Sequence, residues 1–163
     1  MARKTTRKPT KRKVPRPAPR RLATRRAATP AQPARHAATR RVISAGKRTA
    51  PGVPLSPAVA IGNILFVSGT TPFAADGTIA RGDFAAQMHQ VMANIKTVLA
   101  AGGSSLEKIA KVNVILTRIS DFFTMNDIYK QYFKEGNYPA RTTIEAPLAH
   151  PDFLLEIECV AAI

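Results

Sequence analysis

Lys111–Ala146 reads KVNVILTRISDFFTMNDIYKQYFKEGNYPARTTIEA, and its hydrophobic rhythm changes twice within that span. Across Lys111–Thr117 the period is two: Val112, Val114 and Leu116 share one side, while Lys111, Asn113, Ile115 and Thr117 share the other. That alternation predicts a strand with one strongly apolar face. From Ser120 or Asp121 the spacing widens to three and four, and Phe122, Met125, Ile128, Tyr129, Tyr132 and Phe133 form one helical stripe. Gly136 and Pro139 end it, the first by freeing the backbone and the second by removing a donor. Ala140–Ala146, rich in β-branched residues, predicts a further strand. A helix between two strands implies a crossover that lays the helix on a sheet face.

The flanks extend the same architecture. Downstream, Leu154–Ala162 is an apolar last strand interrupted by Glu156 and Glu158. Upstream, Asp83 is a plausible N-cap for a helix whose stripe is Phe84, Met88, Val91, Met92, Ile95, Val98 and Leu99, closed by Gly102-Gly103. Ahead of that helix, Ala58–Ile61 and Ile64–Val67 flank Gly62-Asn63, a two-residue hairpin signal. Ser68-Gly69 and Pro72 end the second strand, and Asp76-Gly77 marks another turn. The predicted order is β-hairpin, α, β, α, β, β: an α/β (α+β) fold with a mixed sheet and both helices on one face. Two helices cover only one face, so the apolar residues on the other imply self-association.

The first 48 residues are of another kind. They carry 17 Lys and Arg and no acid, whereas the remaining residues carry 8 basic and 10 acidic side chains, a formal charge of −2. The whole-chain charge of +15 therefore belongs to the leader and says nothing about the fold. Six prolines and scattered apolar residues (Val14, Leu22, Val42, Ile43) oppose any packed element, which predicts an unstructured leader over 1–48 and a domain over 49–163. Three roles fit the leader: a solvated extension, a non-specific nucleic-acid-binding segment, or an acid-free organelle transit peptide. Its ARKTTRKPTKRK opening is similar in composition to histone-type tails. No apolar run reaches the roughly 18–20 residues that cross a bilayer, and no secretory apolar core stands near the start. The expectation is a cytoplasmic protein, or a mitochondrial or other organellar one if the leader is a transit peptide.

Conventional catalytic equipment is sparse. His89 is expected on a helix surface, His150 in a loop, and Cys159, the one cysteine, as a buried structural thiol. One cysteine excludes an internal disulfide and a multi-cysteine zinc site, and no glycine-rich phosphate or dinucleotide motif is present. Arg141, at the mouth of a strand, and Glu156, inside an apolar run, are harder to dismiss. One reading is an interface ion pair. The other is a guanidinium fork for a substrate carboxylate, with a carboxylate nearby to carry a proton.

KVNVILTRISDFFTMNDIYKQYF, YPARTTIEA and LLEIECVAAI, with FVSGTTP upstream, resemble the signature stretches of the RidA (YjgF) family of imine/enamine deaminases, in the family's order. The resemblance implies a chorismate-mutase-like fold, a homotrimer with clefts between subunits, and cofactor-free, metal-free hydrolysis of 2-imino or enamine acids to 2-keto acids and ammonia. On that pattern Arg141 binds the substrate carboxylate, Glu156 activates or orients water, and Asn126, Thr143 and Ser68 line or support the cleft. Two positions depart from the pattern: Leu55 stands where deaminating members carry a tyrosine, and Thr70 follows Ser68-Gly69 where glutamine is usual. Leu55 cannot donate a hydrogen bond, which implies a less polar cleft and keeps a non-catalytic ligand-binding or chaperone-like trimer as the alternative.

Overall fold

The computed structural model describes residues 39–45 and 53–163. In chain order these form β1 (Arg40–Ile43), β2 (Ala58–Ile61), β3 (Ile64–Thr70), α1 (Phe84–Gly102), β4 (Ile109–Leu116), α2 (Phe122–Tyr129), β5 (Ala140–Glu145) and β6 (Leu155–Ala162). The strands make one six-stranded sheet in the order β1-β2-β3-β6-β4-β5. Only the β4–β5 pair is parallel; every other neighbouring pair is antiparallel. This is the mixed sheet expected from the periodicities, with α2 as the crossover between the parallel strands.

Local chemistry fixes each boundary. Gly62 takes φ +60° in the hairpin turn and sets the register Ile61↔Ile64. The Asp83 carboxylate accepts the Ala86 N–H at 2.9 Å, and Gly103, at φ +82°, closes α1 by donating to Ala100 O and Leu99 O. Between Val67 and Thr70 the pairing with β6 slips by one residue, so Ser68 and Gly69 sit in a bulge.

The core fills the space between the helices and one face of the sheet. Leu65, Val67, Val112, Val114, Leu116, Leu155, Ile157, Cys159 and Ala161 are buried there with Met88, Val91, Met92, Ile95, Leu99 and Met125 from the helices. The opposite face carries Val42, Ile61, Ile64, Phe66 and Ile144, each more than 40% exposed. No helix among the described residues is long and apolar enough to cross a membrane.

Two expectations need correction. The leader was drawn as unstructured through Arg48, yet Arg40–Ile43 pair with β2 and place Ile43 in the core. Edge pairing with an existing strand supplies backbone partners that composition alone does not register. The leader's residues 1–38 and 46–48 lie outside the described residues. The second helix was drawn to Phe133 but ends at Tyr129. Beyond it the Gln131 and Tyr132 N–H groups donate three residues back, to Ile128 O and Tyr129 O. The tighter turn still buries Phe133, whose ring lies 4.5 Å from that of Tyr129.

Candidate active site

Arg141 is the second residue of β5, an edge strand. Its register partner on β4 is Val112, a core residue, so the guanidinium rises on the helix-covered side. There α2 receives it. Nη2 donates to Asn126 Oδ1 at 2.6 Å, Nη1 lies 3.5 Å from Met125 Sδ, and the guanidinium carbon is 4.8 Å and 5.9 Å from the Tyr129 and Phe122 ring centres. Rings and amide together fix the plane of the fork and leave donors for a further acceptor. Arg141 makes no ion pair among the described residues.

Two polar groups near Arg141 lack hydrogen-bond partners. Thr143 stands two residues along on the same face of β5, and both its buried Oγ1 and the buried Tyr129 hydroxyl are unpartnered. Burial pushes the Tyr129 phenol up to about 12, partly offset by the Arg141 charge, so it stays a donor. Sequence reading named Thr143 and Asn126 but took Tyr129 only as part of the helical stripe. Its place three residues after Asn126, one helical turn along, was the available signal.

Glu156 belongs to the other side of the sheet. It pairs with Ile115 and alternates with the core residues Leu155 and Ile157, so it shares the open face with Glu158. Partial burial raises its pKa above the ordinary glutamate value, and the neighbouring Glu158 charge adds to the rise. Gly69, in the β3 bulge, is the residue it lies against: a methyl group built on Gly69 would collide with Glu156 Oε1. That close approach explains the glycine in the Ser68-Gly69 pair, which sequence reading took only as a strand terminator. Ser68 anchors the same bulge, donating from Oγ to Ser56 O at 2.7 Å.

The structure thus forms two clusters. Arg141, Asn126 and Thr143 gather on the helix side, and Ser68, in the bulge, and Glu156, against it, lie on the open side. Within one protomer the two clusters are not brought together. A cavity of about 290 Å³ on the open face is lined by Ser68, Phe66, Lys111, Asn113 and Glu158 among others, and it includes neither Arg141 nor Glu156.

The remaining candidates fall where sequence reading put them. His89 is exposed and shares a 2.6 Å hydrogen bond with the Tyr132 hydroxyl, and His150 stacks on Phe153 in the loop before β6. Cys159 is buried, with its thiol pushed up to about 12 mainly by desolvation, which suits packing rather than nucleophilic attack. Among the described residues no three His, Cys, Asp or Glu side chains lie close enough to hold a metal ion.

Comparison with known proteins adds the family. The model of the endoribonuclease L-PSP family matches residues 45–163. A RutC family protein of Pyrococcus abyssi is 39% identical over 121 residues, covering 74% of this chain and 94% of its own. Human 2-iminobutanoate/2-iminopropanoate deaminase is 38% identical over 125 residues, covering 75% and 89%. The crystal structure of RidA from an Antarctic Psychrobacter superposes with a TM-score of 0.69 at 34% identity, covering 76% of this chain and 99% of that one. Matches of this length span the whole sheet from β2 to β6, and with them the chain belongs to the RidA (YjgF) family.

Proposed function

We propose that the protein hydrolyses small 2-imino acids to 2-keto acids and ammonia, in clefts that form when copies associate as a trimer. The observation that carries this reading is the Arg141 guanidinium, oriented by Asn126, Tyr129 and Phe122 and free of any acidic partner among the described residues. Such a fork suits a planar carboxylate, which a 2-imino acid supplies. A deaminase acting on 2-iminobutanoate and 2-iminopropanoate among the relatives supports the same substrate class. Because the Arg141 and Glu156 clusters stand on opposite faces of one sheet, the cleft takes one cluster from each of two protomers.

The chemistry asks little of the protein. The imine carbon is already electrophilic, so positioning does most of the work. Glu156 takes a proton from water as the oxygen attacks that carbon, then returns it to nitrogen. The resulting carbinolamine passes its hydroxyl proton through Glu156 to the amino nitrogen as the carbon–nitrogen bond breaks, releasing ammonia and leaving the ketone. A carboxyl group whose pKa burial and a neighbouring charge raise above the ordinary glutamate range serves both transfers better than an ordinary glutamate.

The test couples an amino-acid dehydratase to semicarbazide trapping of the released imine. The protein should lower the trapped imine, and Arg141→Ala should raise KM by about 10- to 150-fold, the loss of a charged contact of about 1.5–3 kcal/mol. Identical trapping with and without the protein would sink the enzyme reading. A second reading rests on Leu55, which is exposed and cannot donate a hydrogen bond. It makes the trimer a non-catalytic carboxylate binder, with keto-acid binding through Arg141 and no turnover.

A further inference from the structure

The domain chemistry leaves the basic leader unused. Residues 1–38 hold 13 Lys and Arg and no Asp or Glu, so no internal ion pair can neutralise them. The series does not stop where the sheet begins. Arg40 and Arg41 are both exposed on β1, the strand at one edge of the sheet. β1 pairs with β2 through all four of its residues, and its last residue, Ile43, is buried, as is Ala45 beyond it. Arg40 and Arg41 therefore carry the cationic series onto a folded edge.

Its partner can be narrowed by what the segment lacks. Insertion into a lipid surface needs an apolar face, and Val14 and Leu22 are the only branched aliphatic residues in 1–38. Six prolines within those positions also work against an amphipathic helix. Recognition of single-stranded bases leans on aromatic stacking worth about 1–3 kcal/mol per base, and residues 1–38 contain no Phe, Tyr or Trp. What remains is charge alone. The ligand that rewards charge alone is the one of highest linear charge density, a duplex with one phosphate per roughly 1.7 Å of axis.

We propose that residues 1–41 bind the phosphate backbone of duplex nucleic acid without sequence preference. DNA and RNA duplexes share that chemistry. The binding is independent of imine turnover.

The test uses the full chain and fluorescence anisotropy with a labelled 20-base-pair DNA duplex, the matching RNA duplex, a single strand of equal length, and phosphatidylserine vesicles as competitor. Binding at 50 mM salt should weaken by about 10³-fold or more at 200 mM, as for six or more neutralised phosphates. Replacing the 13 Lys and Arg of residues 1–38 by Gln in the full chain should weaken duplex binding at least 100-fold. Adding Arg40→Gln and Arg41→Gln should reduce the salt slope further. An unchanged affinity after neutralisation, a salt-independent affinity, tighter binding to the single strand, or displacement of the duplex by vesicles at equal accessible charge would each overturn the proposal. Equal affinity for both duplexes supports it; strong discrimination between duplexes of different sequence overturns it.

Discussion

The two faces of the sheet follow different rules. Under the helices, side chains are packed and mostly apolar, and the Arg141 guanidinium there is held by an amide and two rings. On the open face, large apolar groups such as Phe66 and Ile64 stand in water, and Glu156, two residues from Glu158, has its pKa raised first by burial and then by that neighbouring charge. The covered face is complete within one protomer. The open face becomes economical only when something lies on it, and a second copy is the surface that always accompanies the chain. The difference shows where a division of labour can arise: a rigid anion seat on the finished face, and a proton-carrying group on the unfinished one.

The largest effect should come from cutting into the covered face. Leu155→Ala, at a fully buried position, should cost about 2–5 kcal/mol in urea unfolding. Phe66→Ser, one strand away on the open face and 45% exposed, should change the stability of an isolated protomer by about 0.5 kcal/mol or less. Sedimentation should nonetheless show Phe66→Ser shifted to smaller species. If Phe66→Ser instead unfolds the protein as Leu155→Ala does, the two faces are not distinct in the way described.

Next in size is Gly69→Ala. The added methyl group meets the Glu156 carboxylate, so either the bulge or the glutamate must move, at about 1–3 kcal/mol. Imine turnover should fall through kcat rather than KM, because the Arg141 seat on the other face is untouched. A selective rise in KM would mean that the bulge, rather than Arg141, binds the carboxylate.

Glu156 gives a smaller effect with a definite sign. Its pKa is raised by burial and by Glu158, so the native protein holds this proton at pH values where the unfolded chain has released it. Stability from this group is present below the ordinary glutamate pKa and is lost as pH rises through the raised native value. Glu156→Gln should remove that decline, narrowing the difference between urea midpoints measured at about pH 4 and about pH 7. An unchanged difference would show that Glu156 titrates as an ordinary glutamate in solution.

How far these features were legible follows from the kind of force that makes them. Local signals carried the hairpin at Gly62-Asn63 and α1 between Asp83 and Gly103, because caps and turns are chemistry between near neighbours. The alternation in β4 and β6 gave the core face directly, and put Glu156 with Glu158. β1 was not legible, since RRVI is four residues long and embedded in charge, and its strand exists only because β2 offers an edge. The face of Arg141 was not legible either. β5 reads Ala, Arg, Thr, Thr, Ile, Glu and has no apolar side, so only its pairing with β4 shows that Arg141 and Thr143 point toward α2. That Arg141 and Glu156 stand on opposite faces of one protomer's sheet was equally hidden, because a two-residue period within each strand cannot say how the phases of different strands align.

Tyr129 offers the finest test of the covered face. Its ring stacks on the Arg141 guanidinium while its hydroxyl, buried, has no partner. A buried hydroxyl left unpaired costs about 1–3 kcal/mol of desolvation, so Tyr129→Phe, which keeps the ring and deletes the oxygen, should leave the melting temperature unchanged or raise it slightly. Tyr129→Leu removes the stacking partner as well and should loosen Arg141, raising KM for the imine even where folding survives. The pair separates two uses of one side chain. If Tyr129→Phe stabilises the protein and leaves KM alone, the ring alone serves the site. If it stabilises the protein but weakens substrate binding, the hydroxyl is held unpaired in the empty protein because the substrate is its partner, a stability cost retained for recognition.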